Sequence, residues 1–302
     1  MFKETDGDSF EEMRSLNQEL TFKVATREFE KRGLQLEEPQ MRTLGMINGE
    51  SIYTNLALLL SDQCPHIIKC ASFKGKEEEE FQDRKEFSGS LLKQLNEAYS
   101  YLDMRNQIHA SFEGLYRIDT RDYPEAAIRE ALLNAIVHRD YGFSASTLIS
   151  VYENRIEFVS FGGIPADATL DDIMLGISVP RNHKLAEIFY RLKLIEAYGT
   201  GIKKIRLSYR DHSVQPKFET ASKSFKVTLP SMNGDDYDTE ELSESEERIL
   251  FYLKTVEKAS RVDIEKATGI KGSTAIRVIN QLKTKSKVRV EGKGKNTKYK
   301  IS

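Results

Sequence analysis

Cysteine is scarce and tryptophan absent: the 302 residues hold two cysteines, Cys64 and Cys70, and no Trp. So few cysteines exclude a disulfide scaffold and a cysteine-rich zinc module, and fit a reduced, cytoplasmic protein. Long apolar runs are missing as well. Leu56–Leu60 is far too short to span a bilayer, so no membrane association is expected. The opening MFKETDGDSFEEM lacks the basic-then-apolar pattern of a secretory leader. Charge is plentiful, with 45 basic and 47 acidic side chains, but it is unevenly spread. Residues 1–242 carry 30 basic and 40 acidic groups, whereas residues 243–302 carry 15 and 7. A basic end on an acidic body points to a polyanionic partner for the C-terminus.

The length accommodates two or three domains. Residues 1–14 read as a disordered start. Helices are expected over Leu16–Gly33, Thr54–Leu60 and Phe87–Tyr101, and a buried strand over His66–Phe73, between Pro65 and Gly75. Leu34–Gln40 reads as a loop, Met41–Ile47 as extended structure or a turn, and Lys76–Asp83 as a charged loop. His66 and His109 have no second ligand at metal spacing and are expected to be structural or surface groups. Further on, Gly114–Ile118 reads as a strand, and Thr147–Tyr152 with Arg155–Ser160 as a hairpin turning at Glu153-Asn154. Asp171–Leu175 and Lys184–Leu192 read as helices, Gly199-Thr200-Gly201 opens another through Arg210, and Ser224–Leu229 is a last strand. Helices interleaved with hairpin strands argue for an α+β fold, one mixed sheet covered on one side.

The stretch Tyr123–Tyr141, YPEAAIREALLNAIVHRDY, organises the rest. Tyr123-Pro124-Glu125 is a good helix start. Ile128, Ala131, Leu132, Ala135 and Ile136 then form an apolar face. Beside it Glu130, Asn134 and His138 recur every four residues, a polar stripe on a helix otherwise suited to burial. A carboxylate, an amide oxygen and an imidazole on one line can hold a metal–phosphate group or position a water. They can equally be the wet edge of a half-exposed helix.

Glu130-x-x-x-Asn134 resembles the N box of the GHKL ATPases, the class of gyrase, Hsp90, histidine kinases and MutL. The longer EALLNAIVHRDY resembles the GHKL-like domain of RecG-like proteins and related transcriptional regulators. Phe161-Gly162-Gly163-Ile164-Pro165 falls where the G1 box should be. Pro180-Arg181-Asn182, an amphipathic helix and Leu194–Ile202 fall where the G2 box should be. The resemblance covers roughly residues 115–230 and implies a GHKL-like (Bergerat-type) α/β sandwich over residues 113–230, with ATP and Mg²⁺ as cofactors. Asn134 would hold the Mg²⁺, and Glu130 would be the catalytic group that polarises water. His138, Gly162, Gly163, Gly199, Thr200 and Gly201 would complete the nucleotide site, the last three as a phosphate cradle at a helix start. In active members the G1 box is D-x-G-x-G, its aspartate receiving the adenine amino group. Here Ser160-Phe161-Gly162-Gly163 has no such aspartate, so binding is expected ahead of hydrolysis.

Within residues 1–112, LNQELTF, YTNLALLLSDQCP and FSGSLLKQLNEAY resemble the segment that joins an AlbA-like (Schlafen-type) domain to the GHKL-like one. This implies an N-terminal α/β remnant, with most of the AlbA-like domain either lacking or upstream. No helicase motor accompanies the RecG-like label. The phosphate loop G-x-x-x-x-G-K-[ST] does not occur, and Ile270–Thr274 has the wrong order and context.

Residues 231–244 read as an acidic linker, and eight acids stand between Asp235 and Glu247. Such a run should be solvated and extended by self-repulsion. Residues 245–302 read as a winged helix-turn-helix: helices over Ser245–Thr255, Arg261–Thr268 and Lys271–Thr284, then extended runs Lys287–Glu291 and Lys298–Ile301. The third helix should bury Ala275, Val278, Ile279 and Leu282. It would offer Ser273, Thr274, Arg277, Asn280 and Gln281 to double-stranded DNA, with Lys293 and Lys295 at the wing tip. The whole reads as a bacterial-type DNA-binding transcriptional regulator with a nucleotide- or ligand-responsive centre; the alternative is an ATP-hydrolysing, DNA-associated enzyme. A homo-oligomer is expected, because such regulators read paired half-sites.

Overall fold

The computed structural model describes residues 9–76, 78, 80–165, 168–177, 180–196, 199–233, 244–256, 258–270, 272–284, 287–291 and 297–301, apart from the side chains of Ser111, Glu113, Glu244, Ser273, Gln281 and Thr284. Three short helices come first, α1 (Lys23–Glu30), α2 (Glu38–Thr43) and α3 (Asn55–Leu60). Glu37 and Gln40 form a capping box at the start of α2, and Pro39 occupies its first turn. The loop and extended run expected over Leu34–Ile47 therefore enclose a helix, while Leu16–Gly33 is helical only over α1.

Next come β1 (Ile68–Lys74), β2 (Glu80–Phe87) and α4 (Leu91–Asp103). A hairpin of β3 (Ile108–Glu113) and β4 (Tyr116–Arg121) precedes α5 (Glu125–Val137), β5 (Thr147–Val151) and β6 (Arg155–Phe161). Helices α6 (Leu170–Leu175), α7 (His183–Arg191) and α8 (Gly201–Ser208) lead to β7 (Lys217–Ala221) and β8 (Ser224–Pro230). Six strands share one mixed sheet in the order β2-β1-β5-β6-β8-β7. Its β1–β5 pair is parallel and the other neighbours are antiparallel.

Burial alternates along β6. Ile156, Phe158 and Ser160 are buried, while Arg155, Glu157, Val159 and Phe161 are partly open. One sheet face is thus covered, by α4 and α5, in the α+β arrangement expected. Two expectations need correction. The charged stretch Lys76–Asp83 is strand β2 from Glu80 on, at the sheet edge. Gly114-Leu115 is the turn of the β3–β4 hairpin rather than the start of a strand.

A domain break near residue 112 is not found. Strands β1 and β2 lie before it, yet they continue the sheet of β5–β8 through the parallel pair. The chain divides instead into Met1–Asp235 and Asp236–Ser302. Nor are residues 9–14 loose. Glu11 is buried, and its carboxylate accepts the backbone N–H groups of Lys184 and Leu185, at 2.7 and 2.9 Å, in the first turn of α7. Burial raises the pKa of Glu11, and the two amide donors work against that rise. The N-cap residue of α7, Asn182, makes no side-chain cap of its own, so a residue far away in sequence closes that helix end.

In the second unit α9 (Glu244–Thr255), α10 (Arg261–Thr268) and α11 (Gly272–Thr284) enclose a core of Ile249, Leu253, Ile264, Ala275, Val278, Ile279 and Leu282. Ser260 and Asp263 form a capping box on α10, and Gly269 ends it at φ +74°. The strands β9 (Ala259–Ser260), β10 (Val288–Glu291) and β11 (Lys298–Ile301) make an antiparallel sheet in the order β10-β11-β9. Strand β9 was not expected from the sequence. Residues 234–243 and 292–296 lie outside the described residues.

Replacing Glu11 by Ala should lower stability by about 1–3 kcal/mol, because two amide donors at the start of α7 lose their acceptor. Urea unfolding of the full chain measures this as a lower midpoint at unchanged slope.

Candidate nucleotide-binding site

Helix α5 is buried on nearly every side: Ala127, Ile128, Ala131, Leu132, Leu133, Ala135, Ile136 and Val137 are all in the core. Its polar stripe faces two adjoining cavities. The first, about 100 Å³, is lined by Asn134 of α5 and its C-cap residue His138, Ser160 of β6 and Gly162 just after it, Gly163, Ile173, Ile177, Arg181, Gly199, Gly201, Ile202 and Phe225. This is smaller than the roughly 150 Å³ cavity that takes up benzene, and is room for a few waters or a small group. The second, about 330 Å³, is lined by Glu130, Asn134, His138, His183, Glu187, Glu196, Gly199, Thr200 and Gly201. Asn134, His138, Gly199 and Gly201 belong to both. Every central residue singled out from the sequence therefore borders one cavity or the other.

Two glycines set the geometry. A Cβ on Gly201 would lie 3.1 Å from Glu130 Oε2 and 3.3–3.4 Å from the Asn134 amide. Its absence lets the N-terminus of α8 close on the stripe, where free backbone N–H groups favour an anion. Gly162 has φ +113°, and a Cβ there would fall 2.8 Å from the Asp140 backbone nitrogen. It serves the close approach of two backbone segments as well as bordering the cavity.

The charges around the stripe are already paired. Glu130 is buried, bonded by the Arg129 guanidinium, and 3.9 Å from Lys204 Nζ. Lys204 in turn pairs with Glu196 at 2.6 Å, and the Thr200 hydroxyl donates to Glu196 at 3.2 Å. Both cations engage Oε1, while Oε2 lies toward Gly201, so only one oxygen of Glu130 faces the site for the general-base role assigned to it.

Arg181, named above only as part of the Pro-Arg-Asn string, lines the first cavity, and Asp140 lies beside it. Arg181 Nη2 donates to the Gly163 carbonyl at 2.9 Å, and Nη1 lies 3.6 Å from Asp140 Oδ2. Its Nε is buried without a hydrogen-bond partner among the described residues. Asn182 donates to the carbonyls of Val137 and Arg139, both at 2.8 Å, and so closes the C-terminal end of α5. The Pro-Arg-Asn string was the available signal for both residues.

Among the described residues no group of three or more His, Cys, Asp or Glu could hold a metal ion. A Mg²⁺ would rest on the Asn134 side-chain oxygen and on ligand phosphates, as that ion's few-ligand sites often do. The phosphate end fits such a group. The base end has the hydroxyl of buried Ser160 where the carboxylate of a D-x-G-x-G box would stand.

Residues 145–229 match the family described as "Putative ATP-dependent DNA helicase recG C-terminal". The match takes in β5 to β8 with the glycine, Arg181 and α8 segments, and begins after α5. The fold resembles the crystal structure of the DIP2311 protein from Corynebacterium diphtheriae, with a TM-score of 0.65 at 17% identity. That likeness covers 98% of this chain and 64% of the other. No curated protein matches the chain. Residues 145–229 are thus similar to that family's C-terminal domain, within a mixed-sheet α+β fold. No helix among the described residues is long and apolar enough to cross a membrane.

In the second unit Thr274, Arg277 and Asn280 are exposed on α11. The side chains of Ser273 and Gln281, and Lys293 and Lys295 altogether, lie outside the described residues. Elsewhere, His66 is buried beside Arg139, and His109 pairs with Asp122 at 2.7 Å.

Two imidazoles are held neutral. Burial, Arg181 and His183 push His138 down to about 4, and burial with Arg139 does the same to His66. Unfolded histidines titrate near pH 6.5, so on acidification the unfolded chain takes up these protons first. The stability present above pH 6.5 should therefore fall by a few kcal/mol between about pH 6.5 and 4. NMR titration checks the cause: neither ring should protonate until the pH nears 4, and a midpoint near 6.5 would contradict it.

Proposed function

We propose that this chain is a DNA-binding transcriptional regulator. Its GHKL-like domain takes a nucleotide or a related phosphate ligand, and its C-terminal unit is a winged helix-turn-helix for double-stranded DNA. The observation that carries the ligand half is the shared wall of the two cavities. Asn134, His138, Gly199 and Gly201 join a small, largely apolar chamber to a larger, more polar one at the start of α8. The DNA half is supported by three helices with a three-stranded antiparallel sheet, and by Thr274, Arg277 and Asn280 outward on the third helix. The excess of 15 basic over 7 acidic groups in residues 243–302 supports it too.

Binding without rapid turnover is the reading favoured at the centre. The engagement of Glu130 by Arg129 and the missing adenine-reading carboxylate both argue for it. The second reading, a genuine ATPase docked on DNA, draws on the "ATP-dependent" name of the matched family and on Glu130 lying beside Asn134 at Gly201.

Calorimetric titration with Mg·ATP, Mg·GTP and the Mg²⁺-free nucleotides should show binding that weakens about tenfold or more in Asn134→Ala. No heat with any nucleotide would remove the nucleotide site. Turnover abolished by Glu130→Ala would favour the enzyme. DNA affinity should rise steeply as salt falls, and Arg277→Ala should cost about 1–3 kcal/mol or reduce the salt slope by about one. No DNA affinity at low salt would remove the regulator.

A further inference from the structure

The β3–β4 hairpin forms a sheet of its own, two strands with no third strand beside them among the described residues. A lone two-stranded hairpin is marginal in water. This one is also apolar on the outside: Phe112, Leu115 and Tyr116 are 71%, 97% and 79% exposed. Monomeric proteins usually blunt such an edge with bulges, proline or a covering element, because unpaired strand groups recruit another strand.

The direction of the free edge can be read from the register. Glu113 pairs with Tyr116 across the turn, Ser111 with Ile118 and His109 with Thr120. In an antiparallel pair, residues that bond inward alternate with residues whose N–H and C=O point outward. Arg121 belongs to the outward set, because its carbonyl accepts the Asn233 side-chain amide at 3.0 Å from outside the hairpin. By the same alternation Arg117 and Asp119 turn their backbone groups out along β4.

We infer that the outer edge of β4 is a self-association surface, and that its occupant is β4 of a second copy of this chain, antiparallel about a two-fold axis at Ile118. In that register Arg117 faces Asp119 of the second copy and Asp119 faces its Arg117. Both are outward residues, so they exchange backbone hydrogen bonds while their side chains form two cross-strand ion pairs. These side chains are half exposed and pair with each other, Arg117 Nε to Asp119 Oδ1 at 2.7 Å. Tyr116 falls opposite Thr120, and Ile118 falls opposite itself in the close, non-bonded position. The result is a four-stranded sheet with isologous symmetry. The charge match favours this edge over that of β3, where a symmetric pairing about Ala110 sets Ile108 against Phe112, and one about Ser111 sets Glu113 against His109, whose ring already pairs with Asp122. The inference does not depend on what the cavities bind.

Sedimentation velocity of the full chain over a wide concentration range tests it. The wild type should form dimers. R117D and D119R should each weaken dimerisation about tenfold or more by setting like charges opposite one another, and R117D/D119R should restore it. Cys64 and Cys70 are buried, so an introduced thiol reports alone: Ile118→Cys should cross-link two copies under mild oxidation and Ala110→Cys should not. A monomer at every concentration, a double variant as weak as the singles, or cross-linking through position 110 instead of 118 would each overturn the inference. Protection of β4 amides from hydrogen exchange in a monomer would do so as well, since another part of the chain would then cover the edge.

Discussion

A guanidinium with no carboxylate partner among the described residues sits in the interior, and the central sheet depends on it. Arg139 is 1% exposed and follows directly on the C-terminus of α5. Its donors reach the carbonyls of Ile67 and Ala145 and the Thr147 hydroxyl, and Nη2 lies 3.2 Å from His66 Nδ1. Ile67 immediately precedes β1, and Ala145 and Thr147 mark the start of β5. One side chain thus gathers the leading ends of the parallel pair that joins the N-terminal strands to the rest of the sheet. Burying a cation is costly, and burial holds the pKa of Arg139 below its usual range. The offset comes from several oriented acceptors, from the Tyr141 ring 5.0 Å away and from the negative end of α5.

With the end of α5 fixed in this way, the location of the cavities follows. Asn182 bonds the last carbonyls of the helix, Tyr141 donates to the Ile136 carbonyl at 2.9 Å, and Gly162 admits the Asp140 backbone. The helix cannot roll without breaking these contacts. Its stripe is therefore held at the junction of β6, the Arg181 segment and α8, where chain ends meet and packing leaves room. Fixed side chains around preformed space favour ligand binding, because little ordering remains to be done on association.

The periodic elements were legible in the sequence and the exceptions have physical causes. Helix α5 announced itself through an apolar face and a proline start, and α10 through Ser260, Asp263 and Gly269. Strand β2 did not, because EFQDRKEF is an edge strand with almost every side chain in water, and alternation vanishes when neither face is buried. Strand β3 failed for the same reason. The break expected near residue 112 followed the family resemblance, whereas the joining of the two parts is a long-range event, a parallel pairing between residues 68–72 and 147–151. Site membership was visible at the level of the stripe and the glycines. The contacts of Arg181 and the role of Glu11 were hidden because their partners lie far along the chain, Asp140 and Gly163 for one and the start of α7 for the other.

The charge balance at the second cavity constrains what can bind there. Glu130 and Glu196 already match Arg129 and Lys204, so an incoming phosphate meets a set with no net positive charge to offer. Attraction must come from the amide groups opening α8, from Arg181 across the shared wall, or from a cation that arrives with the ligand. Metal-free nucleotide should therefore be a poor ligand and the Mg²⁺ complex a better one, since the ion reverses the local sign while Asn134 adds a neutral oxygen at no electrostatic cost. The same balance leaves Glu130 tied to Arg129 unless the bound ligand draws the arginine away. That is why the pocket reads as a binding site before it reads as a catalytic one.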